Sequence, residues 1–131
     1  MAIIVDTDVA SFFFKNDTRK TLYESHLDGQ FLFLSFMTLA ELRLWAISAN
    51  WGAKRKNQLE NYLKRFSIVQ TKPEICEIWA EIIDAGKRSG KVIATSDAWV
   101  AAVALFLNIP LVTHNLSDFQ GVKGLTIISE I

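Results

Sequence analysis

The sequence has few of the residues that define disulfide-rich or zinc-binding proteins. It has one cysteine, Cys76, among its 131 residues, so no intramolecular disulfide can form. The two histidines, His26 and His114, do not stand at zinc-ligand spacings from that cysteine. We expect Cys76 to pack in the core as a small apolar side chain, and the chain to work in a reducing cytoplasm.

Long apolar runs are also missing, although half of the residues are hydrophobic. The most apolar stretch, 30–44, is interrupted by Glu41 and Arg43 among others, so no membrane association is expected. The first residues have no basic segment and no small-residue cleavage site. They therefore predict a buried strand ending at Asp6 and not a signal peptide.

Charge of one sign is not in excess, because 14 basic residues balance 14 acidic ones. This balance argues against a protein that binds long nucleic acid through net positive charge alone, but it is compatible with a nuclease that has an acidic centre. The clustered basic residues fit a solvated helical face or a phosphate-contacting rim, and the pattern does not decide between the two. These residues are Lys54, Arg55, Lys56, Lys64, Arg65, Lys87, Arg88 and Lys91.

Short apolar segments alternate with segments of helical periodicity along the whole chain. The pattern predicts strands at 3–5, 31–35, 68–70, 111–113 and 125–128. It predicts helices at 7–14, 18–27, 38–49 and 54–66, a long one from Pro73 to about 86–90, and one from Ser96 to Asn108. This alternation is typical of the α/β class. We expect one domain over 1–131, with a parallel five-strand sheet flanked by helices on both faces.

Four carboxylates interrupt apolar or turn-forming segments where a common cleft would form. Asp6 ends the first strand and Asp118 follows the fourth, while Glu41 and Asp97 lie in the first turns of helices. In an open parallel sheet, ligands bind outside the carboxyl ends of the strands, so all four can reach the same edge. Few basic residues stand beside them, so a hard divalent cation is the favoured partner and a metal-assisted hydrolase the favoured function.

Each carboxylate also has an ordinary structural interpretation. Asp6 fits a helix N-cap or an Asx turn, and Asp118 fits a simple turn. Glu41 could pair with Arg43 or another neighbour on a helix surface, and Asp97 could lie favourably on a helix dipole. Asp8 is open between capping the first helix and holding a metal through water. The convergence of the set, and no single residue, carries the prediction.

Four segments together resemble the PIN domain family, in particular the VapC-type toxins of bacterial toxin–antitoxin pairs. They are 4–9 (IVDTDV), 38–42 (TLAEL), 97–102 (DAWVAA) and 112–119 (VTHNLSDF). They occur in the order and at the spacings of the family, and the resemblance spans nearly the whole chain. Each motif is weak by itself, whereas the ordered set is specific.

The resemblance implies a metal-dependent endoribonuclease that uses Mg²⁺ or Mn²⁺. It places the catalytic roles on Asp6, Glu41, Asp97 and Asp118, with Asp6, Asp97 and Asp118 as metal ligands. Glu41 would ligate or orient the attacking water. Expected substrate contacts are Thr7, Thr113, His114 and Asn115. The expected partners are RNA, a small cognate antitoxin protein whose tail covers the cleft, and a second copy in a homodimer.

Other functions remain compatible with the residues. The strand followed by Asp6 and Asp8 also fits a haloacid-dehalogenase-like phosphatase with Asp6 as nucleophile. A non-catalytic acidic-pocket binding module, or a degraded nuclease that only binds a partner, would keep the carboxylates without RNA cleavage. The four tryptophans and nine phenylalanines are expected mostly in the core and not in a base-stacking platform.

Overall fold

The computed structural model describes all 131 residues and contains one five-stranded parallel sheet. Its strands are β1 (Ala2–Val5), β2 (Phe31–Ser35), β3 (Ser67–Val69), β4 (Leu111–Val112) and β5 (Ile127–Ile128). Its α-helices are α1 (Thr7–Phe14), α2 (Glu24–Leu27), α3 (Phe36–Ser48), α4 (Ala53–Leu63), α5 (Pro73–Ser89), α6 (Thr95–Leu107) and α7 (Leu116–Phe119). A 3₁₀ helix, Thr18–Leu22, precedes α2.

The strands lie in the order β3-β2-β1-β4-β5, and every pair is parallel. The predicted fold class is therefore confirmed. Strand β1 is central, with Ile3 opposite Leu32 of β2 and Val5 opposite Val112 of β4. The chain leaves β1 toward β2 on one side and reaches β4 on the other, so the carboxyl ends of β1 and β4 form the switch point where such sheets bind ligands.

Two hydrophobic cores cover the two faces of the sheet. Ile3 and Val5 pack on one face with side chains from α1, α2, α3 and α4. Ile4 points to the other face and packs with α5, α6 and α7. Successive side chains of a strand point to opposite faces, so a short all-apolar strand needs helices on both sides. Each fully buried aliphatic side chain contributes roughly 1.5–3 kcal/mol to folding.

The helix predicted over 18–27 is interrupted, which corrects that prediction. Asp17 accepts a hydrogen bond from the backbone N–H of Arg19, and the N–H of Tyr23 bonds to the carbonyl of Lys20. This pattern produces a 3₁₀ turn before Tyr23 and a short α-helix after it. The break turns Tyr23 toward the core, where its ring is fully buried.

Two further local predictions are wrong. Cys76 is exposed, because Ile75 takes the buried position on this side of α5 and the next side chain points away. Helix α6 begins at Thr95 with Ala94 at the N-cap, so Ser96 is already inside the first turn and does not cap it. The end of α5 agrees with prediction, since Gly90 follows it with a left-handed φ of 77°. None of the helices combines the length and apolarity needed to cross a bilayer.

Candidate active site

A cavity of about 400 Å³ opens beyond the carboxyl end of β1. Side chains from α1, α3, α6 and the segment after β4 meet there because these elements start at the same edge of the sheet. The lining residues are Asp6, Thr7, Asp8, Ser11, Lys15, Glu41, Leu42, Trp45, Asp97 and Asn115. Three of the four predicted catalytic carboxylates therefore share one cavity, and Asp8 joins them.

Asp6 is the most buried of these carboxylates, at 5% exposed. Its Oδ1 accepts a 2.8 Å hydrogen bond from the backbone N–H of Thr7, and its Oδ2 accepts one of 2.8 Å from Oγ1 of Thr113. Burial and the nearby charge of Asp8 raise the pKa of Asp6 to about 7, while the two hydrogen bonds oppose the rise. Asp6 is thus both the N-cap of α1 and a candidate metal ligand.

Glu41 is held by the first helix and not by its neighbour in sequence. Oγ1 of Thr7 donates a 2.6 Å hydrogen bond to Oε1 of Glu41, and Oγ1 of Thr38 lies 3.1 Å from the Thr7 hydroxyl. Arg43 instead binds Glu60, with 2.9 Å between Nη2 and Oε1. The surface-pair interpretation of Glu41 is therefore excluded, and Thr7 acts as its anchor.

Asp97 connects two cavities. Burial is the main cause that raises the pKa of Asp97 to about 6, and the charges of Asp118, Glu41 and Asp8 add to it. Asp118 is exposed and lines a larger adjacent cavity of about 1100 Å³, which Asp97 lines as well. Asp6, Glu41 and Asp97 thus line one cavity, as expected, whereas Asp118 lines the adjacent cavity that shares Asp97 with it.

Asp8, which the sequence left open, belongs to the cavity. Its Oδ1 accepts a 2.7 Å hydrogen bond from the N–H of Val9, and its Oδ2 accepts one of 3.0 Å from the backbone N–H of His114. Burial raises the pKa of Asp8, and these hydrogen bonds oppose the rise. Asp8 thus lies in the first turn of α1, where Asp6 is the N-cap, and it adds a negative charge next to Asp6.

The predicted substrate contacts separate into supporting and accessible groups. Thr113 is fully buried and accepts a 3.0 Å bond from the N–H of Asn115, so it orients Asp6 and has no surface for a substrate atom. The ring of His114 turns away, with Nδ1 2.6 Å from the hydroxyl of Tyr23. Thr7 and Asn115 line the cavity, and a substrate contact of either one stays a prediction.

Four lining residues were not predicted from the sequence: Ser11, Lys15, Leu42 and Trp45. Trp45 lies four residues after Glu41 on α3, so the side chains of Glu41 and Trp45 lie on the same face of that helix. Lys15 directly follows the last residue of α1. The i, i+4 spacing was a usable signal for Trp45. Lys15 gave no such signal, because the direction of its side chain depends on how α1 packs.

The carboxylate oxygens of the cavity are the type of ligand that a hard divalent cation prefers. Carboxylate oxygens converge in the cavity, their mutual charge is unfavourable, and a divalent cation would relieve it. No group of three or more histidine, cysteine, aspartate or glutamate side chains is arranged to enclose a metal ion. The residues therefore fit an ion held by one or two carboxylates and otherwise by water, as Mg²⁺ prefers.

Comparison with known families decides the class of the chain. The sequence model described as PIN domain matches residues 3–125. The chain belongs to the PIN domain family. The five-stranded parallel sheet and its flanking helices are thus a PIN domain fold, and the carboxylate cavity lies at the edge of that sheet.

Relatives of this PIN domain chain include proteins named as ribonucleases. It is 28% identical over 127 residues to Ribonuclease VapC1 of Haemophilus influenzae, which covers 95% of each chain. It is 29% identical over 136 residues to VapC ribonuclease Y4jK of Sinorhizobium fredii, which covers 97% of this chain and 96% of the relative.

Solved structures with the same fold include a toxin–antitoxin complex from Klebsiella pneumoniae and several structures named VapBC. VapBC-1 from nontypeable Haemophilus influenzae matches with a TM-score of 0.80 and 25% identity over 98% of both chains. FitAcB from Neisseria gonorrhoeae matches with a TM-score of 0.81 and 26% identity over 97% of this chain and 96% of that one. VapBC2 from Rickettsia felis, bound to a promoter DNA fragment, matches with a TM-score of 0.87 over the full length of both chains. Its identity of 20% shows the PIN fold and no more.

Proposed function

We propose that this PIN domain protein is a metal-dependent endoribonuclease and the toxin of a type II toxin–antitoxin pair. The observation that carries the proposal is the cavity shared by Asp6, Asp8, Glu41 and Asp97 at the carboxyl edge of the sheet. Relatives that match nearly the whole chain are named VapC ribonucleases, which supports RNA as the substrate.

A divalent cation, Mg²⁺ or Mn²⁺, completes the site in this proposal. Asp6 and Asp97 would hold it, directly or through water, and Asp118 would reach it from the adjacent cavity. When bound, such an ion offsets the charge of the carboxylates and of the phosphate and lowers the pKa of water. The remaining roles belong to the side chains of the protein.

The hydrogen bonds of these side chains support the proposed roles. Thr113 and the N–H of Thr7 orient Asp6, so that its carboxylate stays fixed while its charge changes. The Thr7 hydroxyl donates to Oε1 of Glu41, so Oε2 is left to accept a hydrogen bond from the attacking water. In this proposal Glu41 orients that water and takes its proton as the water attacks the phosphorus. Asn115 is exposed and lines the cavity, and in this proposal it would donate to a phosphate oxygen.

The same structure disfavours a phosphatase with Asp6 as nucleophile. Both carboxylate oxygens of Asp6 already accept hydrogen bonds, and the side chain is 5% exposed. A covalent phospho-aspartate needs room for a whole phosphoryl group at the attacking oxygen, whereas a metal ion or its water needs only the second lone pair that each oxygen keeps. An oriented, buried ligand agrees better with this geometry.

We also propose how the chain is organised and which proteins bind it. We infer that 1–131 forms one nuclease domain, that it acts in the cytoplasm, and that it pairs with a second copy in a homodimer. A small antitoxin protein would bind it and cover the cavity, as the solved complexes named VapBC and FitAcB suggest by analogy.

The direct test is RNA cleavage by the purified chain. End-labelled transfer RNA and total RNA are incubated with Mn²⁺, with Mg²⁺ or with chelator, and an Asp97→Asn variant purified identically controls for contaminating ribonuclease. Discrete fragments that require metal and appear with the wild type only support the proposal. No cleavage of any RNA by folded, antitoxin-free protein with metal present would overturn it.

A further inference from the structure

We propose that Trp45 and Lys15 form a subsite for one unpaired nucleotide beside the carboxylate cavity. Trp45 would stack on the base, and Lys15 would contact its phosphate. The inference rests on the proposed function in one respect only, that the ligand is single-stranded RNA. It concerns how the strand is held next to the carboxylates and not how the bond is broken.

Trp45 is placed where a base next to the reacting phosphate would lie. It lines the same cavity as Glu41 and Asp97, and it stands one helical turn after Glu41 on α3. Its side chain is half-buried, so part of the indole faces the cavity. The buried part of the indole packs on the hydrophobic core, and the remaining part is an aromatic surface left open beside four carboxylates.

The indole of Trp45 is held rigidly by two other rings. The ring of Trp51 meets it at 61° with centroids 4.7 Å apart, and the ring of Phe14 meets it at 78° with centroids 6.3 Å apart. Edge-to-face contacts of this kind stabilise one orientation of the ring. A ring that is already ordered loses little conformational freedom when a base stacks on it, which favours binding.

Lys15 supplies positive charge at the same place. Its Nζ lies 6.0 Å from the centroid of the Trp45 ring and 3.8 Å from Oδ2 of Asp17. It is the one cationic side chain that lines the carboxylate cavity, and it is 38% exposed. Because the ion pair with Asp17 is long and exposed, it contributes little, and the ammonium can move to a phosphate at small cost.

An aromatic face with a neighbouring cation is the arrangement that binds single-stranded nucleic acid without reading its sequence. The carboxylates repel phosphate, so the strand needs an attractive contact on at least one side of the cation site. Trp45 and Lys15 provide stacking and charge on the side formed by α1 and α3. A protein segment could cover the same ring, and the test below separates that case.

The test uses binding in chelator, where no cleavage occurs. Short single-stranded RNAs carry an abasic nucleotide at each position in turn, and their Kd is measured with wild type, Trp45→Leu and Trp45→Phe. We expect wild type to lose about tenfold in affinity at one position of the abasic series, within the range for stacking on one aromatic side chain. Trp45→Leu should bind intact RNA about tenfold more weakly than wild type, and its affinity should fall at no single abasic position. Trp45→Phe should keep part of both the affinity and the loss at that position.

Matched variants make the result specific. Trp51→Phe alters the same aromatic cluster but not the cavity lining, and it should keep the sensitive position. Lys15→Gln should weaken binding at every RNA position alike and reduce the slope of log Kd against log salt by about 0.7, as expected for one lost phosphate contact. Equal affinity and an unchanged abasic profile in Trp45→Leu would overturn the subsite, even if that variant bound an antitoxin more weakly.

The outcomes distinguish this inference from the proposed function. Metal-dependent cleavage by wild type together with an unchanged abasic profile in Trp45→Leu would leave the ribonuclease in place and overturn the subsite. A single Trp45-dependent abasic position, together with no cleavage of any RNA by the folded protein with metal present, would support the subsite and contradict the nuclease.

Discussion

Oγ1 of Thr113 donates a 2.8 Å hydrogen bond to Oδ2 of Asp6, although the two residues are 107 positions apart. The bond joins the ends of the neighbouring strands β1 and β4 at the sheet edge. It favours the charged form of Asp6, whereas burial favours the neutral form and prevails, so that the pKa of Asp6 rises to about 7. Asp6 is thus oriented for metal binding while its charge stays costly without metal.

Removing that hydrogen bond should change the pH dependence of activity. Thr113→Val keeps the shape of the side chain but removes the donor, so the pKa of Asp6 should rise further. We expect the rising limb of the pH–rate profile to move to higher pH and stability to fall by about 1–3 kcal/mol. Thr126→Val, at an exposed position, is the control. Identical pH–rate profiles for the wild type and Thr113→Val would contradict this role of Thr113.

The metal-free protein should lose stability as the pH rises. The pKa of Asp6 is about 7 in the folded chain against 3.8 for the unperturbed group, and that of Asp97 is about 6. The folded state therefore binds more protons than the unfolded state between about pH 4 and pH 7, and lower pH is stabilising in that window. In chelator, the thermal midpoint should be higher at pH 5 than at pH 7.5.

Asp6→Asn provides the internal comparison for this pH effect. The amide cannot ionise, so the variant should be more stable than wild type at pH 7.5 in chelator and should depend less on pH. A wild-type midpoint that rises from pH 5 to pH 7.5 in chelator would show that the buried carboxylates do not dominate stability.

The sequence predicts the fold well because its signals are local. Apolar runs such as 3–5 and 31–35 fit only strands covered on both faces, and their alternation with helices implies a parallel sheet. The break at Tyr23 is not predictable from local sequence because the Tyr23 hydroxyl makes hydrogen bonds with His114 and with the N–H of Glu130, which are far away along the chain. Short helices are decided by such tertiary contacts more than by propensity.

The site was predictable only in part, for the same reason. Asp6 and Asp97 follow from rules about strand ends and helix starts, and they do line the cavity. The position of Asp118 in the adjacent cavity depends on the short helix α7, which the sequence showed only as a turn. The approach of Lys15 to Trp45 depends on how α1 packs against α3, which no spacing along the chain encodes.

Addition of Mn²⁺ should raise the thermal midpoint. An ion that binds only the folded state stabilises it by about 2.7 kcal/mol when the free ion is at roughly 100 times its Kd. The shift should be larger at pH 7.5 than at pH 5, because protons compete for Asp6 and Asp97. Asp6→Asn should show a smaller shift. If saturating Mn²⁺ moved the midpoint of neither protein, the carboxylate cavity would not be a metal site.

Tyr23→Phe should destabilise the chain and loosen the edge of the cavity. The hydroxyl of Tyr23 lies 2.6 Å from Nδ1 of His114 and accepts a 3.1 Å bond from the N–H of Glu130. Its loss leaves polar groups without a partner, at a cost of about 1–3 kcal/mol. Since the N–H of His114 donates to Asp8, catalytic rate should fall as well. Equal chemical denaturation midpoints for wild type and Tyr23→Phe would refute this.

The most direct measurement compares the RNA-cleavage rates of Asp6→Asn and Asp84→Asn under single-turnover conditions with Mn²⁺. Both variants remove one carboxylate charge, but Asp84 is on the surface of α5, where it pairs with Arg88 outside the cavity. We predict that Asp6→Asn lowers the rate at least about 100-fold while remaining folded, and that Asp84→Asn cleaves like wild type. Cleavage at the wild-type rate by folded Asp6→Asn would contradict the assignment of this cavity as the active site.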